Sequence, residues 1–324
     1  MNNVRREYTL RKTIIKSLAL YPKNIKMFIN FKKYAFIYIL MLPSLILTFI
    51  FAYLPMPGIL AAFQDYNMFQ GLLKSPWVGL KHIKEIFEIP MMWGSIVNTL
   101  KLSVLTIIVG FPAPIILALM INELKNGLYK KTVQSLSYLP HFLSWIAVVG
   151  LTYSFLDPYG PLNDLKVLLF GANAERVMFL SKQELFIPFL LLISLWKDVG
   201  WGTILYLAAI TSIDPMLYEA ACIDGASRIK QHIHITLPGI KQTTVLLLIF
   251  TLGNLLGSNF ELVYGMQNPF IDFDVISTVV FSSGIQQGNY SIAAAVGFSQ
   301  GLIAFLLIFL TNKISKKVSQ ISIW

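Results

Sequence analysis

Six stretches of this chain are apolar over lengths that match the hydrocarbon core of a lipid bilayer. About 20 apolar residues span such a core, and none of these runs alternates as strands do. The runs are Tyr34–Leu54, Ile96–Ile121, Pro140–Leu156, Leu185–Ile213, Gln242–Tyr264 and Ser291–Thr311. Only 13% of the 324 residues are charged, about half the share in a soluble domain. We therefore predict an all-α polytopic membrane protein with six transmembrane helices.

Proline predicts irregularities in two of these helices. Pro55 closes the first run, and Pro112 and Pro114 lie inside the second. A proline within a helix removes a backbone hydrogen bond and clashes with the preceding turn. We expect the second helix to be kinked there.

The distribution of basic residues predicts the orientation. Lysine and arginine number nine in residues 1–33 and three each in 122–132, 212–241 and 313–324, against three, three and none in 55–92, 157–184 and 265–290. Loops rich in these residues stay in the cytoplasm, so both termini are predicted to be cytoplasmic. Because these basic residues would lie against anionic lipid headgroups, we attribute the net charge of +10 to membrane topology and expect no nucleic-acid binding.

The predicted domain organisation follows the same pattern. Residues 1–33 form a basic cytoplasmic tail of open function, 34–95 the first helix and an external loop, 96–312 a helical core, and 313–324 a cytoplasmic C-terminal tail. The two longer external loops mix aromatic, apolar and charged residues, which predicts folded caps with short helices.

A polar insert, EAACIDGASRIKQHIHITLP, lies between the fourth and fifth runs. Asp214 followed by Pro215 is a typical helix start, and Gly225 can take the left-handed conformation that ends a helix. We predict a short cytoplasmic helix from Pro215 to Asp224, with Pro238 opening the fifth span. If the helix instead continues past Gly225, Asp224 and Arg228 form an i,i+4 pair.

Small residues on this helix would let it enter a groove on another protein, although an ordinary capped loop helix is equally compatible with them. The insert resembles the EAA loop of binding-protein-dependent ABC importer permeases: Glu-Ala-Ala, three residues, Gly, nine residues, Ile-x-Leu-Pro. The matching residues are Glu219, Ala220, Ala221, Gly225, Ile235, Leu237 and Pro238. SPWVGLKHIKEIF and NTLKLS resemble the sugar-importer branch of these permeases. SLWKDVGWGTILYLAAITSIDPMLYEAACIDGAS resembles its subgroup for alginate or rhamnogalacturonan oligosaccharides.

The resemblance implies a permease subunit of an oligosaccharide importer in the bacterial cytoplasmic (inner) membrane, working by alternating access. It implies as partners a second homologous permease, two ATPase subunits and an extracytoplasmic solute-binding protein. ATP and Mg²⁺ would bind the ATPases, and this chain would hold no cofactor. Coupling to the ATPase would fall on Glu219, Ala220, Ala221, Asp224, Gly225, Arg228, Ile235, Leu237 and Pro238.

Motifs of catalysis are absent from the sequence. It contains no G-x-x-x-x-G-K-[ST] for nucleotide phosphates and no H-E-x-x-H or G-x-S-x-G. A single cysteine, Cys222, excludes an internal disulfide framework and a cysteine cluster. His232 and His234 do not share a helix face, and His82 and His141 are isolated in sequence. We expect no enzyme activity and no metal site.

Polar residues in the fifth run recur at helical spacing and predict a stripe along one helix face. Polar groups within a bilayer face the bundle interior or a watery cavity, so the stripe either lines a sugar pathway or makes interhelical hydrogen bonds. The pathway candidates are Thr251, Asn254, Ser258, Asn259, Glu261 and Tyr264, with Gln300 from the sixth run. Thr244 begins the same stripe.

Three further features concern packing. Gly253 and Gly257 form a GxxxG pattern that predicts a close helix crossing, and Ala293, Gly297, Gly301 and Ala304 predict a packing ridge. Lys197 and Asp198 lie within the fourth run, where we expect them to pair with neighbouring helices beside a local helix break, with contact to substrate as the alternative.

Two rival functions remain open from sequence. The same fold could import a non-sugar solute, and a secondary transporter or channel would need no ATPase. The latter expects ion ligands inside the membrane and an inverted repeat, neither of which the sequence displays.

Overall fold

The computed structural model describes residues 34–171, 174–257 and 259–319. Within these ranges the secondary structure is helical, and extended pairing is limited to one isolated bridge between Gln64 and Trp77. The predicted tail 1–33, the pathway candidate Ser258 and residues 320–324 lie outside the described residues.

The main helices, numbered in chain order, include two segments that contain π-helical turns. They are α1 Ala35–Thr48, α2 Lys81–Glu88, α3 Pro90–Gly110, α4 Pro112–Glu123, α5 Leu128–Tyr138, α6 Trp145–Leu156, α7 Pro161–Phe170, α8 Gln183–Thr211, α9 Pro215–Ile223, α10 Arg228–Gly239, α11 Lys241–Gly253, α12 Phe260–Met266, α13 Ile276–Gln286 and α14 Tyr290–Ser319.

The chain divides into two compact units, residues 1–58 and 59–324. The described part of the first unit is α1 and a π-helical turn, Phe49–Tyr53, that ends regular helix just before Pro55. None of these residues is buried. Their apolar surface is that of a helix surrounded by lipid or by other chains.

Within the described residues, four helical stretches are long and apolar enough to cross a membrane: Ala35–Phe63, Pro90–Glu123, Gln183–Thr211 and Tyr290–Lys317. Two bent pairs, Leu128–Phe142 with Trp145–Phe170 at 102° and Arg228–Gly239 with Lys241–Gly253 at 62°, bring the number to six if each is one span. Where the kink in the second span is predicted, regular helix is interrupted at Phe111, since α3 ends at Gly110 and α4 begins at Pro112, and the two together form one helical stretch.

The third predicted span is not a single helix from Pro140. Pro140 lies in a 3₁₀ turn, Leu139–Phe142, and α6 begins only at Trp145. Ser144 caps α6, since its hydroxyl accepts a 3.2 Å hydrogen bond from the amide of Ala147. The cap starts a new helix in a new direction, which the apolar run concealed.

Helix α8 is the axis of the second unit. Towards its start, Phe186, Leu190 and Ile193 are buried against α6 and α12. Towards its end, Tyr206 and Ile210 are buried with Ala118 of α4 and with Ile240. One helix therefore packs against its neighbours at both ends of the bundle, and a displacement of either end is transmitted along it.

Helix α14 runs to Ser319, beyond the Thr311 predicted from hydropathy. Ala293 packs closely against Gly284, but Gly297 and Gly301 have no atom within 4 Å of the position that a Cβ would occupy. The predicted packing ridge is therefore made within this chain at Ala293 and not at these two glycines.

Folded segments with short helices are present in the two loops that are predicted to be external. In the loop that carries α7, Asn163 is fully buried and donates to the carbonyls of Asp157 and Val177 at 3.0 and 2.9 Å. In the earlier loop His82 is buried on α2, and its Nδ1 lies 2.8 Å from Glu85. The prediction that His82 is isolated is wrong, because the fold of the loop encloses it.

Candidate functional site

Helix α9 has the start and the end that its sequence predicts. The Asp214 carboxylate accepts a 3.0 Å hydrogen bond from the amide of Met216. Gly225 has φ +72°. The amide of Ala226 donates to Ala221 O at 2.9 Å and that of Gly225 to Cys222 O at 3.1 Å, the paired bonds of a Schellman motif. The helix ends there, so the alternative in which it continues past Gly225 is wrong.

The surface of α9 is mostly apolar and exposed, apart from the Tyr218 hydroxyl, 2.9 Å from Thr236 Oγ1, and Cys222 Sγ, which accepts from Gln231 Nε2 at 3.2 Å. Met216, Leu217 and Ile223 are 70%, 53% and 87% exposed, and no residue of the helix is buried. Glu219 and Ala220 are exposed on the same helix. Contiguous exposed apolar groups rimmed by charge are typical of a protein interface.

The second half of the insert differs from the prediction. Ile235, Leu237 and Pro238 lie within helical α10, and the bend comes at Ile240 rather than at Leu237-Pro238. A π-helical turn, His232–Thr236, directly precedes Pro238. Its wider helix relieves the clash that a proline ring makes in a regular α-helix.

A cleft of about 450 Å³ separates α9 from α10 and the end of α4. Glu219, Cys222 and Arg228 line it together with Glu123, the last residue of α4. The Arg228 Nε lies 3.8 Å from a Glu123 oxygen, so its ionic partner is on a neighbouring helix rather than at Asp224. His232 also reaches Glu123, at 3.3 Å.

The fifth span is interrupted where the polar stripe was predicted. Helix α11 ends at Gly253, and Asn259 caps α12, its side chain accepting a 3.2 Å hydrogen bond from the amide of Leu262. The prediction of one continuous helix face from Thr244 to Glu261 is wrong. Gly253 packs against Ile308 of α14, which confirms a close crossing there, whereas Gly257 lies outside any helix.

Two adjoining cavities, of about 670 and 350 Å³, lie between α3, α4, α8 and α11. The break brings three of the predicted residues to these cavities: Thr251 and Asn254 line both, and Asn259 lines the smaller. The walls also carry the polar side chains of Ser103, Thr106, Ser194, Asp198, Trp201 and Tyr206.

Three other candidates are absent from these walls. Glu261 is exposed in the first turn of α12. The Tyr264 hydroxyl lies 3.4 Å from Gln286 Nε2, and its ring packs on Phe281. The Gln300 amide donates to Leu256 O at 3.3 Å, where it satisfies a carbonyl freed by the break in the fifth span.

A cluster of charged and aromatic side chains stands at the wall of the larger cavity. Lys197 is only 5% exposed; its ammonium donates to His141 O at 2.8 Å and lies 4.7 Å from the centre of the Trp145 ring. Asp198 lies 3.0 Å from His141 Nδ1, and the imidazole stacks on Trp201 at 4.5 Å.

This cluster corrects three expectations. The predicted pairing of Lys197 and Asp198 is confirmed, but the expected helix break beside them is wrong, because α8 is continuous. His141 is not isolated. Asp198 also lines the larger cavity, so its pairing does not exclude the contact with substrate that the sequence left as the alternative; the direction of its side chain depended on the fold.

The model of the binding-protein-dependent transport system inner membrane component family matches residues 110–320, about two thirds of the chain. The chain belongs to this family. The permease is 41% identical over 304 residues to the polygalacturonan/rhamnogalacturonan transport system permease protein YteP of Bacillus subtilis (strain 168), covering 93% of this chain and 94% of that one. Protein LplB of the same organism is 42% identical over 301 residues, covering 92% and 94%.

A solved structure gives the permease fold independently. The bacterial alginate ABC transporter in complex with an alginate pentasaccharide-bound periplasmic protein contains a chain with a TM-score of 0.81 at 36% identity, covering 92% of the permease and 100% of that chain. The matched proteins are transport subunits rather than enzymes.

Proposed function

We propose that this permease translocates an oligosaccharide, delivered by an extracytoplasmic solute-binding protein, in an importer driven by ATP. The observation that carries the proposal is the similarity along nearly the whole chain to YteP, whose name gives polygalacturonan and rhamnogalacturonan as cargo. The neighbour that transports alginate supports the same class. The cargo is therefore a polysaccharide fragment such as an alginate or pectin oligosaccharide.

The permease crosses the bacterial cytoplasmic membrane six times with both termini in the cytoplasm. The two bent helix pairs support six spans. The excess of lysine and arginine in alternate loops supports the orientation, which places α9 on the cytoplasmic side.

Helix α9 docks on an ATPase subunit. Its exposed apolar residues suit insertion into a cleft on a partner, and Glu219 and Arg228 supply directional contacts beside it. Two ATPases and a second, homologous permease complete the membrane assembly. ATP and Mg²⁺ belong to the ATPases, and the P-loop motif that would hold them is absent from this sequence.

The two cavities form part of the pathway for cargo. Hydroxyl and amide groups of Thr251, Asn254 and Asn259 can exchange hydrogen bonds with sugar hydroxyls, and Trp201 offers a flat apolar face. In alternating access, ATP favours one orientation of this pathway only through contacts that differ between the two states, and α9 is where those contacts are made. Glu261, Tyr264 and Gln300 are left out of the proposed pathway, since other contacts use them or the surface exposes them.

The test is reconstitution of the full transporter in liposomes, followed by uptake of labelled trigalacturonate, an alginate trisaccharide and maltotriose. We expect ATP-dependent accumulation of at least one uronate trisaccharide. Glu219→Lys should lower uptake about tenfold or more while the ATPases remain active, because a reversed charge at the docking helix breaks the coupling. Lys230→Glu, an exposed reversal outside α9, is the control.

Uptake that proceeds without ATP would contradict the proposal and favour a secondary transporter. Accumulation of none of the three sugars, with a non-sugar solute imported instead, would keep the fold and overturn the cargo. Wild-type uptake by Glu219→Lys would contradict the docking role of α9.

A further inference from the structure

A line of polar contacts connects α9 to the cytoplasmic end of α4. The Tyr218 hydroxyl of α9 lies 2.9 Å from Thr236 Oγ1, which lies 3.4 Å from His232 Nδ1. The His232 Nε2 lies 3.3 Å from Glu123 Oε1. The four side chains belong to α9, α10 and α4. The line therefore joins α9 and α10 to α4, which lies far from them along the chain.

One arrangement of protons satisfies every contact in this line. A neutral imidazole protonated on Nε2 donates to the Glu123 carboxylate and accepts on Nδ1 from the Thr236 hydroxyl, which accepts in turn from Tyr218. Thr236 is fully buried, and the His232 side chain is 19% exposed. Shielding from water makes these bonds stronger than exposed ones.

The Arg228 contact with Glu123 is of a different kind. Its distance is 3.8 Å and the arginine side chain is 75% exposed, so its contribution is small. The connection between α9 and α4 therefore depends on His232 rather than on the more conspicuous ion pair.

The far end of α4 belongs to the larger cavity. Pro114, in its first turn, lines that cavity together with Phe111 at the break before it. A helix of this length is rigid, and its ends are about 18 Å apart. A displacement at Glu123 is therefore transmitted to the cavity wall, with the break at Phe111 as the point that can bend.

We propose that Glu123 is a positioning residue that ties α9, through His232, to α4, so that movement of α9 on the ATPase moves the cavity wall. The proposal rests on the proposed function, in which α9 docks on the ATPase. It assigns to a carboxylate outside the EAA loop the task of carrying that movement into the membrane.

The experiment measures the cavity directly, so that the identity of the cargo does not matter. In the complete reconstituted transporter, Cys222→Ser removes the single cysteine of this chain, and Thr106→Cys places a thiol in the cavity. The rate at which a maleimide modifies this thiol is measured with and without ATP plus vanadate, beside the rate of ATP hydrolysis. In this background we expect the nucleotide to change the modification rate about fivefold or more.

Glu123→Ala should abolish this change while ATP hydrolysis stays within about twofold of the background. Glu123→Gln keeps an oxygen that accepts from His232 and should retain most of the nucleotide-dependent change in modification rate. Asn122→Ala, a neighbour that lines the same cleft, is the matched control and should behave as the background. Glu123→Ala combined with His232→Ala should be no worse than either alone, because both break one connection.

An unchanged response in Glu123→Ala would overturn the proposal, and so would additive effects in the double variant. Loss of both hydrolysis and response would also overturn it, since Glu123 would then support docking itself. If Glu123→Ala fails to assemble, His232→Ala and Glu123→Gln decide by the same criteria. A background that never responds to nucleotide contradicts the proposed function, which distinguishes that failure from a failure of Glu123.

Discussion

The α9 turn and the cluster at the cavity wall are both polar places in an apolar chain, but contacts of different range build them. Around α9, Asp214 bonds the amide two residues on, and Ala226 bonds the carbonyl five residues back. At the cavity wall, Lys197 and Asp198 reach His141, 56 and 57 residues away. The local bonds of α9 form wherever that helix is placed. The cluster around His141 forms only when α8 packs against the turn before α6.

The two regions therefore differ in how far they tolerate movement and substitution. Helix α9 is largely exposed and its form is set by its own caps, while its tertiary contacts include the Tyr218–Thr236 and Gln231–Cys222 hydrogen bonds. The cavity wall is held by packing that admits no extra atom at Gly200, where a methyl group would overlap the backbone oxygen of Ser137. If α9 docks on a partner as proposed, its local hydrogen bonds let it keep its form there, whereas the wall keeps its form through packing between helices.

The largest effect is expected on the long-range side of this comparison. Gly200→Ala forces α8 away from α5 and should destabilise the fold by about 3 kcal/mol, lowering the apparent Tm by at least about 5 °C. Gly150→Ala is the control, because that glycine is also helical but has nothing within 4 Å of a Cβ. Thermal unfolding in detergent measures both. Equal Tm values would show that α8 is not held closely here.

A smaller and strictly local effect is expected at Gly225. Valine resists the left-handed backbone at φ +72°, so Gly225→Val should cost about 1–2 kcal/mol and raise amide exchange in α9 roughly tenfold. Asparagine tolerates this conformation better, and Gly225→Asn should exchange more nearly as wild type. The measurement is hydrogen–deuterium exchange of residues 215–223. If exchange in α8 rises equally, the two regions are not independent.

The smallest effect is expected at the start of the same helix. Asp214→Ala removes the cap, worth about 1 kcal/mol, and should raise amide exchange in the first turn of α9 roughly fivefold. Serine can replace the cap, so Asp214→Ser should leave exchange near the wild-type rate. A lower Tm of the whole protein in Asp214→Ala, without faster amide exchange in α9, would show that the cap of α9 does not act locally.

The fifth span marks the limit of prediction by periodicity. The residues from Thr244 to Glu261 have helical spacing, yet the helix ends at Gly253 and restarts after Asn259. The two glycines and two asparagines in this stretch are weak helix formers, but an apolar run conceals such a break. The fold compensates it locally: the Asn259 side chain caps α12, and Gln300 of α14 binds the freed carbonyl of Leu256.

The sequence by itself determined the apolar helices, the interruption of regular helix before Pro112 and the caps of α9, because each depends on residues within a few positions. Only the tertiary structure decided that Asp198, Thr251 and Asn259 share cavity walls and that His232 joins Glu123 to α9. Those relations follow from how helices cross, and crossing is set by shape complementarity between surfaces distant in sequence. A pattern along one helix specifies what it can contact and leaves its neighbour undetermined.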